Sequence, residues 1–188
     1  MADTKAETLS KAHDKFDDAK KDELSKDGAY DKAMRKLREK EEALAKKPSD
    51  ANREARDKAK TKCDQAQRDY EDAVAARKRA AEEYDAALRA RWDERVEEAD
   101  GAAAKKDVRY RELDAATREH DRAEDDLKAA RRKLRDLERD LERSLEREDD
   151  PEHRARLRER IDEAKRAVDR AIDEEKRTDA NRKYLGGK

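Results

Sequence analysis

A seven-residue repeat at residues 113–141 constrains this chain more than any other feature of its sequence. Its seam residues follow one another by alternating steps of three and four: Leu113, Ala116, His120, Ala123, Leu127, Ala130, Leu134, Leu137 and Leu141. This alternation is typical of the a and d positions of a coiled coil, where an apolar stripe on one helix is covered by a partner helix. The repeat therefore predicts a long helix that packs lengthwise against another.

The composition favours helices along the whole chain. Charged residues make up 55% of the 188 residues, whereas about 25% is usual for soluble domains. Only 34% of residues are hydrophobic, and many of these are alanine, so a large globular core cannot be built. β-Branched and aromatic residues, which strands require, are scarce. Because a disordered chain has no reason to keep a seven-residue phase, we expect an all-α fold.

Two proline-containing segments divide the predicted helices. Pro48 and Pro151 cannot continue a helix from the preceding turn, and both lie beside residues that favour helix N-termini. Within one elongated coiled-coil domain covering residues 1–188, these breaks predict helices at about 3–46, 50–148 and 151–180, followed by a flexible tail at 181–188.

Gly101 separates two possible architectures. The apolar phase passes through this glycine without a shift, which favours a continuous second helix and a coiled-coil rod of long antiparallel helical hairpins. The alternative is a turn at Gly101 and an elongated up-down-up-down four-helix bundle. Gly28 poses the same question in the first helix, where the phase also continues on both sides.

No residue pattern points to catalysis, a cofactor or a metal ion. The three histidines, His13, His120 and His153, lie far apart and have no cysteine or second histidine at ligand spacing. His120 falls on the seam, which indicates a core or pH-sensitive packing role. The single cysteine, Cys63, also falls on an apolar stripe. We interpret it as a small buried residue, with a disulfide across a parallel dimer as the alternative. We therefore predict that the protein is not an enzyme.

Four apolar residues are candidates for contacts with another protein. Tyr84 and Trp92 lie where the stripe of the second helix shifts by one residue, and core packing is the simplest interpretation. In a rod two helices thick, however, some aromatic rings would stay half exposed and would mark an interaction surface. Tyr184 and Leu185, in the predicted tail, form a second candidate docking motif.

Charge and hydropathy limit the kinds of partner. The 51 basic residues are balanced by 52 acidic ones and interleaved with them, which argues against nucleic acid. No stretch approaches the 18 apolar residues of a membrane span, and the N-terminus lacks the apolar run of a signal peptide. We therefore expect no membrane partner, and either a cytoplasmic protein or one assembled from the cytoplasm into a larger particle.

The predicted function is structural. We expect a non-enzymatic structural or scaffolding protein that acts through protein–protein contacts in a virion, a filament or a cytoskeletal complex. An alanine-rich seam buries little apolar area, which favours self-association. The abundance of Ala, Arg and Asp hints at a GC-rich bacterial or phage genome. The alternative is a regulatory binding module or chaperone-like helical clamp, although the predicted hairpin tips are polar.

Overall fold

The computed structural model describes the backbone of residues 2–147 and 150–187, and side chains within these ranges from residue 5 onward. Over this part of the chain it contains helices and no strand: α1 (Ala2–Lys46), α2 (Asp50–Glu98), α3 (Gly101–Glu146) and α4 (Pro151–Gly186). The helices pack in pairs, α1 with α2 and α3 with α4. The predicted all-α fold of long helical hairpins is therefore confirmed.

The chain divides into two compact units, Met1–Asp93 and Glu94–Lys188. The first unit is the hairpin of α1 and α2, in which α1 runs through Gly28 without interruption. The second contains the end of α2 together with the hairpin of α3 and α4. None of the described helices is apolar enough over a sufficient length to cross a membrane.

The second predicted helix is interrupted before Gly101. The helix α2 ends at Glu98, Asp100 has an extended backbone (φ −75°, ψ 117°), and Gly101 adopts a φ of +81°. This left-handed region is open to glycine and costs other residues about 1–2 kcal/mol. The structure thus has the break at Gly101 rather than the continuous helix that the apolar phase favoured. One residue with a positive φ ends the helical hydrogen bonding without changing the spacing of apolar residues on either side.

The connection between α1 and α2 is a short polar turn around Pro48. Ser49 Oγ accepts a hydrogen bond from the backbone N–H of Asn52 at 3.2 Å, which satisfies one of the unpaired donors at the start of α2. Asn52 Nδ2 in turn donates to the backbone carbonyl of Lys47 at 2.8 Å. The turn therefore joins the end of one helix to the beginning of the next.

The start of α4 has the cap that its sequence predicts. Asp150 Oδ1 accepts from the backbone N–H of Glu152 at 3.1 Å, and Pro151 occupies the first helical position. The predicted end of the second helix at residue 148 lies outside the described residues, as does residue 149.

The helix α4 continues well beyond its predicted end at residue 180. It extends to Gly186, and Asn181 is buried, so most of the tail predicted to be flexible is helical. A Cβ placed on Gly186 would lie 3.8 Å from Leu113 Cδ1. The final turn of α4 therefore packs on α3, a tertiary contact that the polar and glycine-rich sequence did not reveal. Residue 188 lies outside the described part of the chain.

The core of each hairpin is a narrow seam. Buried apolar residues of the first unit are Ala12, Phe16, Cys63, Ala73, Ala81 and Trp92. Those of the second are Ala116, Ala123, Leu127, Leu137, Leu157, Ile161 and Ala164. Every residue of the seam predicted at 113–141 is buried or half-buried. The repeat therefore marks the face of α3 that meets α4.

Candidate functional site

A buried ion pair lies in the seam of the first hairpin. Arg77 of α2 donates from Nε to Glu23 Oε2 of α1. Both side chains are removed from solvent, and Asp27, one turn further along α1, is buried as well. Glu23 stands at a seam position where the heptad pattern calls for an apolar residue. At this polar position of the seam, Arg77 of the opposite helix therefore supplies the charge that pairs with Glu23.

Aromatic rings pack across the same hairpin on both sides of this ion pair. Tyr84 stacks on Phe16 with ring centroids 5.7 Å apart, and His13 meets Tyr84 edge-on at 5.4 Å. Tyr30 and Tyr70 stack at 6.2 Å. Such pairs add to the stability that area burial alone provides. The half-buried Tyr84, one of the predicted interaction residues, is thus held in place by α1.

Cys63 lies inside the first hairpin, with its Sγ 3.1 Å from Met34 Sδ. Burial raises the pKa of the Cys63 thiol, and the negative charges of Asp64 and Glu41 raise this pKa further. Because the thiolate is the reactive form, a raised pKa makes this cysteine a poor nucleophile. Cys63 is therefore packed in the hairpin as a small buried side chain.

A buried polar cluster lies between α3 and α4 in the second hairpin. Its centre is His120, which is 4% exposed. Thr178 Oγ1 lies 3.1 Å and 3.0 Å from the backbone carbonyls of Glu174 and Glu175, so its proton is donated to one of them. His120 Nδ1 lies 3.4 Å from the same Oγ1. The tautomer of His120 determines which of these two atoms donates in this contact.

Two carboxylates lie close to the His120 imidazole. Glu124, one turn further along α3, places Oε1 3.6 Å from Nε2. Glu175 approaches from α4, and one ligand atom from each of the three residues lies within 4.8 Å of the others. No other group of metal-ligand side chains with this geometry occurs among the described residues. His120, Glu124 and Glu175 are therefore the residues best placed to hold a metal ion.

The other predicted interaction residues lie in different environments. Trp92 is buried in the seam of the first unit, which corresponds to the simpler interpretation of core packing. Tyr184 and Leu185 are half-buried on the last turn of α4. The large apolar side chains with the greatest exposure are others: Tyr110 (71%), Leu24 (57%) and Leu145 (45%).

Sequence reasoning missed the carboxylates around His120. Glu124 follows His120 by four residues, which places both side chains on one helix face, but pairs of this kind are common in a chain so rich in acids. Glu175 comes from a different helix, and its approach depends on how α4 aligns with α3. No signal local to the sequence identifies it.

Comparison with known proteins adds no evidence to this geometry: no protein-family model, no curated protein and no solved structure matches the chain.

Proposed function

We propose that this chain is a non-enzymatic structural or scaffolding protein that acts through protein–protein contacts in a larger assembly. The observation that carries the proposal is Tyr110, a large apolar side chain that is 71% exposed on α3. Tyrosine is enriched at protein interfaces, where its ring provides contact area and its hydroxyl stays hydrogen-bonded. The chain has only five tyrosines and one tryptophan, so large aromatic side chains are scarce, and this one is exposed to solvent and available for contact.

The position of Tyr110 supports the same proposal. The helix α4 ends at Gly186, beside Leu113, so it does not reach the first turns of α3. Residues 101–107 are all exposed, and this stretch contains three consecutive alanines. Small side chains beside an exposed aromatic ring form a surface that another helix can approach closely.

The narrow seams provide an energetic reason for association. Most of the buried apolar residues in the first hairpin are alanines or similarly small, and each of these buries less area than a leucine would. Apolar burial stabilises by roughly 25 cal/mol per Å². Hairpins with so little buried area gain stability when a partner covers further apolar side chains. A second copy of this chain is the simplest such partner.

The remaining features fit this role without a catalytic step. Opposite charges alternate along the helix surfaces, as in the ion pairs Arg111–Asp107 and Arg118–Asp114. Such pairs stiffen exposed helices. The single cysteine provides no disulfide framework, so we place the protein in the cytoplasm or in a particle assembled from it.

Sedimentation velocity over a hundredfold range of concentration tests the proposal. We expect a mass above that of one chain, and we expect Tyr110→Glu to weaken association by at least about tenfold because it places a charge in the contact. Ala129→Glu is the matched control, since it adds the same charge at another exposed position of α3. Circular dichroism verifies that both variants remain helical.

Two results would contradict self-association through this surface. One is a monomer at every concentration, which would favour the alternative of a regulatory binding module or chaperone-like clamp. The other is an equal effect of both substitutions on association, which would attribute the loss to charge alone.

A further inference from the structure

We propose that His120, Glu124 and Glu175 form a binding site for a divalent transition-metal ion between α3 and α4, with Zn²⁺ as the best-matched ion. This site goes beyond the scaffolding role and does not depend on it.

The donor atoms suit a transition metal. One imidazole nitrogen and two carboxylate oxygens are common ligands of Zn²⁺, whereas Mg²⁺ and Ca²⁺ prefer oxygen ligands alone. The separation of four residues between His120 and Glu124 places both side chains on the same face of α3. Glu175 supplies the third ligand from the opposite helix.

The spacing of these atoms fits a coordination sphere better than a hydrogen bond. Zinc ligands at about 2.0–2.2 Å from the ion stand about 3.4 Å apart in a tetrahedral site. His120 Nε2 and Glu124 Oε1 are 3.6 Å apart, close to this value and long for a hydrogen bond. All three ligand atoms lie within 4.8 Å of one another, and Glu175 is half-buried.

Hydrogen bonding on the far side of the imidazole prepares His120 for ligation. Nδ1 lies 3.4 Å from Thr178 Oγ1, a hydroxyl oxygen that can accept a hydrogen bond from Nδ1 when Nε2 binds a metal ion, since its own proton then has the backbone carbonyl of Glu174 or Glu175 as acceptor. Metal-bound histidines commonly donate their second N–H in this way, which fixes both the tautomer and the ring orientation. Burial of His120 further limits its motion.

The surrounding charges favour a cation. The carboxylates of Glu124 and Glu175 place two acidic groups beside the His120 imidazole. Lys128 Nζ contacts Glu124 Oε2 at 3.3 Å, but it also contacts Asp125 Oδ1 at 3.2 Å and is largely exposed. Glu124 Oε1, the atom that faces His120, therefore remains available to a metal ion while the lysine keeps its contact with Asp125.

An ion in this position would connect the two helices of the hairpin. Three protein ligands leave a fourth position for water. Because Glu175 belongs to α4, the complete site exists only when the hairpin is folded. Metal binding would therefore stabilise the second unit by mass action.

A Zn²⁺ titration against a chromophoric chelator tests the site. We expect one Zn²⁺ per chain, bound more tightly than isolated surface carboxylates would bind it. We also expect a higher melting temperature with Zn²⁺ than without it. His120→Gln, Glu124→Gln and Glu175→Gln should each lower the affinity by at least about tenfold. Glu119→Gln, an exposed neighbour on α3, and His13→Gln, in the first unit, are matched controls and should leave it unchanged. Mg²⁺ and Ca²⁺ should compete weakly.

Nitrogen NMR of the imidazole rings provides a direct readout for His120. With Zn²⁺ bound, we expect the tautomer with the proton on Nδ1, and the addition of Zn²⁺ should shift the Nε2 resonance of His120. If His120→Gln loses helicity, Glu175→Gln decides the test, since its side chain is only half-buried. Equal Zn²⁺ binding by all five variants would overturn the proposal. So would a His120 that stays protonated on Nε2 at neutral pH in the presence of Zn²⁺, which would indicate a simple ion pair with Glu124.

Discussion

Glu23 of α1 and Arg77 of α2 form an ion pair inside the first hairpin, and their side chains are only 1% and 8% exposed. Moving two charges out of water costs several kcal/mol per ion, and their attraction does not always repay this cost. Removing one partner takes away the opposite charge that the other contacts inside the seam. Breaking the pair should therefore lower the free energy of unfolding strongly, even if the intact pair adds little to it.

Glu23→Ala should lower the free energy of unfolding of the first unit by about 3–5 kcal/mol. The triple variant Glu23→Leu, Asp27→Leu and Arg77→Leu should be close to the wild type or more stable, because apolar side chains then replace all three buried charged groups of the seam. Urea unfolding followed by the fluorescence of Trp92, the single tryptophan, reports on this unit. Glu82→Ala, an exposed control on α2, should change the value by less than about 0.5 kcal/mol. A triple variant as unstable as Glu23→Ala would contradict this expectation.

Alanine should have opposite effects at two glycines. Gly28 lies within α1, and a Cβ there would meet no atom within 4 Å, so Gly28→Ala should stabilise by about 0.5–1 kcal/mol. Gly101 has a φ of +81°, and Gly101→Ala should destabilise by about 1–2 kcal/mol, because the Cβ clashes with the backbone in this region. Thermal unfolding monitored by circular dichroism measures both.

The two glycine variants are controls for each other, since the chemical change is identical. If Gly101→Ala were stabilising, the residue would have helical backbone angles and α2 would continue into α3. That outcome would restore the continuous helix favoured by the apolar phase.

The pH dependence of stability should contain a contribution from Cys63. Its pKa in the folded chain is raised above the reference value of 9.0, mainly by burial. The stability associated with this group is therefore fully present below about pH 9 and is lost as the pH rises through the folded pKa, since the unfolded chain releases the proton first. Between pH 8 and 10.5, the free energy of unfolding should fall more steeply for the wild type than for Cys63→Ala.

The same burial predicts slow alkylation of Cys63. At pH 8 the folded protein should react with iodoacetamide at least about tenfold more slowly than the chain in urea, because the thiolate is both disfavoured and covered. Equal rates in the two conditions would show that Cys63 is accessible, and would revive the disulfide across a dimer seam.

The sequence predicted the helices and their seams because both depend on local information. The period of the apolar residues from Leu113 to Leu141 specifies which face of α3 is covered, whatever the partner. Pro48 and Pro151 stop helices through their own backbone chemistry. The candidate site was far less predictable, because His120 is one of three histidines and its carboxylate neighbours resemble dozens of others.

By itself the sequence determined the fold class, the seam of each helix and the proline-marked turns, since propensity and periodicity act over a few residues. The tertiary structure decided the break at Gly101, the helical course of α4 to Gly186 and the partners of the buried charges. Arg77 meets Glu23, and Glu175 approaches His120, only because two helices are aligned in one register. That register is set by packing along whole helices, and no short stretch of sequence contains it.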